Sequence, residues 1–346
     1  MSYIMLALGW VLKLMYTITG NYGVAILLFT IVVKMCLMPL TVKQQKSMLK
    51  TQKLQPLLND LQKKYANDKD KLNQETMKLY QKYQVNPMSG CLPMVIQLPI
   101  LMALYWVVKQ PIIYIMGVGG DDIWRIVSAI EEWRVANPEP VNQLLASMNM
   151  DSFNAFLETS PPFKMFGQYE IQVARFLHEY PEIMNSHWIT ETGRTYTLID
   201  FNLLGIDLSQ TPDMMGLLGL VLGKLPDGGI NWNTIGLWLI PLLAGGSSYL
   251  TSKISQNMQP QQPVQRDENG EEKPNTMKTM MIMMPLISAW IAFTLPAAIG
   301  FYWILSSIIQ ILQQIVINKV AKVDLTDEDV KEEMENAKKN RKKRKK

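Results

Sequence analysis

Residues 22–40 read YGVAILLFTIVVKMCLMPL, and this stretch decides the class of fold. It is close to the ~20 residues a helix needs to cross a bilayer, and its side chains are apolar apart from Tyr22, Thr30 and Lys34. A lysine inside a span costs about 2.5–3.5 kcal/mol on insertion scales. A chain keeps such a residue where it meets water, a partner or an anionic ligand within the membrane. None of the apolar stretches identified below contains Asp or Glu, so Lys34 has no counter-ion among them and is a functional-site candidate. Thr30 stands one helical turn before it, on the same face.

Working outward, four more stretches qualify as spans. Residues 88–116 carry Pro93 and Pro99 and read as a kinked helix, since neighbouring groups in a membrane re-satisfy the carbonyls that proline frees. Residues 233–254 hold Pro241 and the small run Ala244, Gly245, Gly246, Ser247, Ser248, which lets helix backbones approach closely. Residues 277–295 and 296–318, separated at Pro296, form a tight hairpin. With 21–42 as the first, the expectation is an all-α polytopic membrane protein of five transmembrane helices.

Charge orients these spans. The average is uninformative, with 48% hydrophobic residues and a net charge of +4. The distribution is not. Residues 43–86 hold ten lysines against four acids, and 319–346 hold eleven basic residues against seven acids. Residues 117–232 reverse the balance, with six basic residues and fifteen acids. Positive loops stay in the cytoplasm, which places 43–87, the loop 255–276 and the tail 319–346 inside, and 117–232 outside. Five crossings with a cytoplasmic C-terminus put the N-terminus outside, consistent with the same rule.

Between the first two spans, Leu54, Leu58, Leu61 and Tyr65, then Leu72, Leu79 and Tyr83, follow helical spacing on either side of Asn67, Asp68 and Asp70. This predicts a cytoplasmic helical hairpin over 43–87, with its first arm kinked at Pro56 or starting there. Residues 1–20 are apolar, interrupted by Lys13, and read as an outer interfacial helix anchored by Trp10 and Tyr16. The insert 117–232 is expected to be mostly helical, with amphipathic segments at 123–135 and 166–177, an extended stretch at 195–203, and an apolar segment at 214–222 that is too short to span and reads as interfacial.

Covalent chemistry finds no support. There is no P-loop, no HExxH and no paired metal-ligand cysteines, and the two histidines, His178 and His187, lie in the acidic insert. Cys36 and Cys91 read as small packing residues. No metal, cofactor or catalytic residue is assigned. What remains is a polar stripe in apolar helices: Thr30, Lys34, Gln97, Ser247, Ser248, Thr251, Trp303, Ser306 or Ser307, Gln310 and Gln314. Interhelical hydrogen bonds of about 1 kcal/mol or less would account for the neutral members, but not for Lys34.

The chain resembles the YidC/Oxa/Alb family of membrane protein insertases. The resemblance is carried by Asn21-Tyr22-Gly23 and ILLFTIVVKMCLMPLTVKQQKSM, by NPMSGCLPMVIQLPILMALYWV at 86–107, by WLIPLLAGGSSYLTSKI, and by PAAIGFYWILSSIIQILQQ. It covers the five spans and the hairpin, is closest to the short Gram-positive-like bacterial type, and does not inform the insert, which is longer than that type would have. The resemblance implies a hydrophilic groove, open to the cytoplasm and to lipid and closed outside, with one positive charge on the first core span. Its lining is then Lys34, Thr30, Gln97, Ser247, Ser248, Tyr302, Trp303, Ser306 and Gln310. Lys34 stands where many members carry arginine, which keeps the charge and loses the bidentate fork. The implied function is insertion of nascent transmembrane segments into the bilayer of a bacterial plasma membrane without nucleotide hydrolysis. The implied partners are nascent membrane proteins, lipid, the Sec translocon and targeting machinery. The basic tail resembles ribosome-contacting tails, and it also suits a topology anchor on anionic lipid. Two other functions fit Lys34 alone: a transporter or channel for a small anion, and a membrane scaffold with a snorkelling lysine.

Overall fold

A computed structural model of the chain describes residues 2–65, 68–83, 102–103, 105–119, 122–147, 162–224, 229–256 and 276–320. Gln97, Cys91, most of the expected span 88–116, the loop 257–275 and residues 321–346 lie outside the described residues. The chain divides into two compact units. The first comprises Met1–Val33, Pro99–Gly246 and Leu286–Ser306, and the second Lys34–Leu98, Ser247–Pro285 and Ser307–Lys346.

The first unit begins with α1 (Ser2–Thr19). Leu12 and Tyr16 are buried on one side while Tyr3, Leu6, Trp10 and Ile18 are exposed on the other. Gly9 admits the ring of Tyr114, which any side chain at that position would meet. α2 (Tyr22–Cys36) buries Tyr22, Ala25, Ile26 and Phe29 at helical spacing. A π-helical turn, Ile112–Met116, follows Pro111 and ends at Gly117, whose φ of 74° lies in the left-handed region that favours glycine.

The insert has its own core. α6 (Ile123–Arg134), α7 (Pro138–Ser147) and α8 (Pro162–Glu179) pack with a 3₁₀ turn (Pro181–Asn185) and the short α9 (His187–Thr190). Ile123, Ile126, Val127 and Ile130 are buried at helical spacing along α6, as are Val141, Leu144 and Leu145 on α7. Trp133 meets Phe176 and Tyr180 with ring centroids 5.8 and 4.9 Å apart. The stretch expected to be extended is mostly irregular. Only β1 (Asn202–Leu203) pairs, antiparallel to β2 (Ile206–Asp207), with Asn202 opposite Asp207 and Leu203 opposite Ile206. The two-residue loop between them, Leu204 and Gly205, has positive φ at both positions, the conformation that matches strand twist in tight hairpins.

Residues 198–213 run across the ends of four helices of this unit. A helix N-terminus leaves its first N–H groups without intrahelical partners, and this segment supplies some of them. The amides of Tyr22, Ala297 and Ala298 donate to the carbonyls of Asp200 (2.9 Å), Gln210 (2.8 Å) and Leu208 (2.8 Å). The Tyr16 hydroxyl donates to the Leu198 carbonyl and accepts from the Asp200 amide, both at 2.9 Å. On α11 (Trp232–Gln256), the indoles of Trp232 and Trp238 donate to the carbonyls of Leu204 and Asp213, both at 2.8 Å. Gly236 leaves room there for Ile206. α10 (Met214–Val221) follows this segment.

The second unit contains α3 (Met38–Lys53), α4 (Gln55–Lys64) and α5 (Lys69–Lys82). The stretch expected as the first span over 21–42 holds a break: α2 stops at Cys36 and the chain bends by 57° into α3. Pro39 is the cause. It sits in the first turn of α3, where its missing N–H costs nothing, but its ring would clash with the carbonyl four residues earlier in a continuous helix. Pro56 acts alike, in the first turn of α4, so that helix starts there. Leu54 and Leu57 pack against Leu79, Tyr80 and Tyr83. The Asp68 carboxylate caps α5 by accepting from the Lys71 amide at 3.0 Å.

α12 (Thr276–Thr294) contains Pro285, and α13 runs over Ala297–Val320. Among the described residues two helices, at Trp232–Ser255 and Ala297–Val320, are long and apolar enough to cross a membrane, and the bent pair α2–α3 makes a third if read as one span.

Candidate functional site

Lys34 lies in the last turn of α2 and is only 7% exposed. Its Nζ donates to the Gln310 Oε1 on α13 at 3.5 Å, a long contact. Its backbone carbonyl, one of those a helix end leaves without an intrahelical partner, accepts from the Gln313 Nε2 at 3.0 Å. Among the described residues no carboxylate forms an ion pair with it. Among the described residues the ammonium hydrogen-bonds only the Gln310 side-chain oxygen, at a largely buried position.

The polar surroundings extend along α13. Gln314 Nε2 donates to Ser255 Oγ at 2.8 Å, and Gln45 Nε2 donates to Asn318 Oδ1 at 2.9 Å. Gln310, Gln313 and Gln314 fall on one helical face, with Asn318 four residues beyond Gln314. Gln45, Gln313 and Gln314 are buried. Gln314 Oε1 is buried with no hydrogen-bond partner among the described residues. Ser247 and Ser248 on α11 are half-buried in the same unit, and the Ser247 carbonyl accepts from the Thr251 hydroxyl at 2.8 Å.

Of the candidates read from sequence, the structure brings Lys34 and Gln310 into contact. Thr30, Tyr302, Trp303 and Ser306 fall in the first unit. Thr30 is buried and its hydroxyl donates to the Ile26 carbonyl of its own helix at 2.6 Å, so its one proton is committed. Tyr302 is buried and hydrogen-bonds Ser306 one turn on, while Trp303 is half-buried. Gln97 lies outside the described residues. Sequence reasoning missed Gln313, Gln45 and Asn318. Gln313 stands three residues after Gln310, a spacing that puts it on the same face, and that signal was available.

Among the described residues no three His, Cys, Asp or Glu side chains converge as a metal site would require. His187 faces Glu132 at 3.4 Å and Cys36 is exposed. Among the described residues one acid is fully buried: Glu170 on α8 accepts from the Ile113 amide at 3.1 Å, and its Oε1 has no partner there. Burial pushes its carboxyl up to about 8, against the opposing pull of the Ile113 and Ile112 amides.

Apolar helices of spanning length, with a buried lysine hydrogen-bonded to a glutamine side chain, define a multi-pass helical membrane protein with a polar interior site. The model of the 60Kd inner membrane protein family matches residues 14–160 and 168–324, and the chain belongs to that family. A protein of Fusobacterium nucleatum named membrane protein insertase YidC is 36% identical over 178 residues, 50% of this chain and 82% of that one. Two proteins of the same name match differently. That of Syntrophus aciditrophicus is 53% identical over 94 residues, 27% of this chain and 17% of its own. That of Beijerinckia indica is 29% identical over 320 residues, 92% of this chain and 37% of its own. The chain thus spans most of the first relative and well under half of the other two.

Proposed function

We propose that this chain is a membrane protein insertase and chaperone of the bacterial plasma membrane. In this reading it moves nascent transmembrane segments into lipid through a positively charged groove, without hydrolysing a nucleotide. The observation that carries the reading is Lys34, buried against the amides of Gln310 and Gln313 with no carboxylate partner among the described residues. A cation that meets no carboxylate among the described residues is available to an incoming anion. Ser247, Ser248, Gln313 and Gln314 extend the polar lining. Thr30, one turn before Lys34 on α2, and Tyr302, Trp303 and Ser306, before Gln310 on α13, continue it along the same helices. Gln97 completes the set. Five spans, an outer N-terminus and a cytoplasmic C-terminus complete the topology.

The mechanism follows from two magnitudes. A carboxylate about 4 Å from a lysine gains about 4 kcal/mol at the effective dielectric of a partly wet site. That suffices to hold a polar tail transiently part-way across the membrane. Twenty apolar residues entering lipid gain about 0.3–0.6 kcal/mol each, roughly 10 kcal/mol in all, so sliding into lipid outweighs retention and drives release. The lysine-rich helices α4 and α5 would receive substrate or targeting partners on the cytoplasmic side, with the Sec translocon as a further partner. The basic tail would contact the ribosome or anionic lipid.

The test is insertion of a single-span protein with an acidic outer tail into proteoliposomes holding only this chain, comparing wild type, Lys34→Ala and Lys34→Arg. Loss with alanine and rescue with arginine supports the charged groove. Equal insertion by all three overturns it, and saturable flux of a small anion would assign transport instead.

A further inference from the structure

We infer that α10 is embedded in the leaflet at the Trp232 end of α11, with lipid acyl chains as its partner. From Met214 to Gly223 no side chain carries an oxygen or nitrogen, while Asp213 and Lys224 stand at the two ends. No residue of α10 is buried. Met215 and Val221 are 71% and 75% exposed and share an outward face with Leu218 and Leu222. Gly216 faces the other way, where a side chain would meet the Asp213 carboxylate first and the Trp238 ring beyond it. Protein-binding patches carry a polar rim around an apolar centre; here no side chain of the helix itself is polar, and the Asp213 carboxylate lies only against its Gly216 side. Eight residues span about 12 Å, too little to cross.

Depth comes from the tie to α11. Trp238 donates to the Asp213 carbonyl, at the start of α10, and lies six residues from Trp232, roughly 9 Å along the axis. α11 has 25 residues, roughly 37 Å, against an apolar bilayer core of ~30 Å. α11 is thus about 7 Å longer than that core, and α10, tied roughly 9 Å from its start, begins within about 10 Å of the acyl boundary, the depth at which membrane-surface helices lie. α11 itself exposes Ile235, Leu239, Leu242 and Leu243 on a helix of spanning length. The end of α10 also suits lipid, which hydrates no carbonyl. Gly223, with φ of 80°, turns the chain so that the amides of Leu222, Gly223 and Lys224 return to the carbonyls of Leu218, Leu220 and Gly219.

The experiment places an environment-sensitive nitrobenzoxadiazole label on Met215→Cys and, separately, on Val221→Cys, in full-length chain with Cys36 and Cys91 replaced by serine. Val135→Cys, on the insert and 85% exposed, is the aqueous control. In proteoliposomes the two α10 labels should emit to the blue of the control. They should be quenched by phospholipid spin-labelled near the top of the acyl chain, and quenched several-fold less by iodide. Iodide quenching equal to that at position 135 at both sites overturns the inference. So does shielding from both quenchers, which would mean that a protein surface or a second copy covers the helix.

Discussion

The side chain of Gln313 donates to the backbone carbonyl of Lys34 at 3.0 Å, joining the end of α2 to α13 at the residue that carries the buried charge. This bond fixes the backbone beneath the ammonium, whereas the side-chain contact to Gln310 is long enough to yield to a ligand.

Gln313→Leu should therefore leave a buried carbonyl without its partner, at a cost of about 1–3 kcal/mol. Thermal unfolding in detergent micelles should show the loss. Gln310→Leu should unfold close to wild type, and a larger fall for Gln310→Leu than for Gln313→Leu would reverse the assignment.

Gln310→Glu places a carboxylate beside Lys34. If the cation works as proposed, this internal counter-ion should reduce insertion of an acidic-tailed substrate about tenfold, equivalent to ~1.4 kcal/mol of lost attraction, and leave a neutral-tailed substrate little affected. Equal effects on both substrates would show that the charge is not what the tail meets.

Glu170 predicts a pH dependence. Its carboxyl ionises near 4.3 in an unfolded chain and about 8 when buried in the insert. The folded form therefore holds the proton between these values, so stability is highest below the lower value and falls as pH rises through the upper one. The groups facing the carboxyl are the Ile112 and Ile113 amides and the hydroxyls of Tyr22 and Tyr114. Glu170→Gln, scanned by thermal unfolding from pH 5 to 9, should flatten the fall and be the more stable protein at pH 9. An unchanged slope would assign the dependence to another group.

Leu54 is fully buried against Leu79, Tyr80 and Tyr83. Leu54→Ala should cost about 2–5 kcal/mol. Hydrogen exchange should then quicken in α4 and α5 while the insert helices α6 and α8 keep wild-type protection. Uniform loss of protection would show that the two units unfold together.

The sequence made the apolar helices and the buried charge legible, because a 3.6-residue period and a lone lysine among aliphatics need no tertiary information. α11 and α13 stand close to the stretches their hydropathy marks. The break at Leu37 was harder to read. Hydropathy runs smoothly through Pro39, and only the steric demand of the proline ring ends the helix. Segment 198–213 was less legible still. Its role rests on backbone carbonyls of Asp200, Leu208 and Gln210, which no side-chain pattern encodes, received by amides far away in sequence. Gln310 could be read because it lies at helical spacing from Trp303 and Ser306. Gln45 and Asn318 find each other from helices more than 270 residues apart, and no local period announces that pairing.

The bonds from Tyr16 to segment 198–213 also set an order of events during synthesis. The Tyr16 hydroxyl meets Leu198, 182 positions further along the chain. Ribosomes add about 5–20 residues per second, so α1 and α2 wait roughly 10–40 seconds for the backbone that will hold their ends. The amides of Ala297 and Ala298 arrive later still. Each copy thus passes through a stage in which Lys34 has been made while the crosspiece has not.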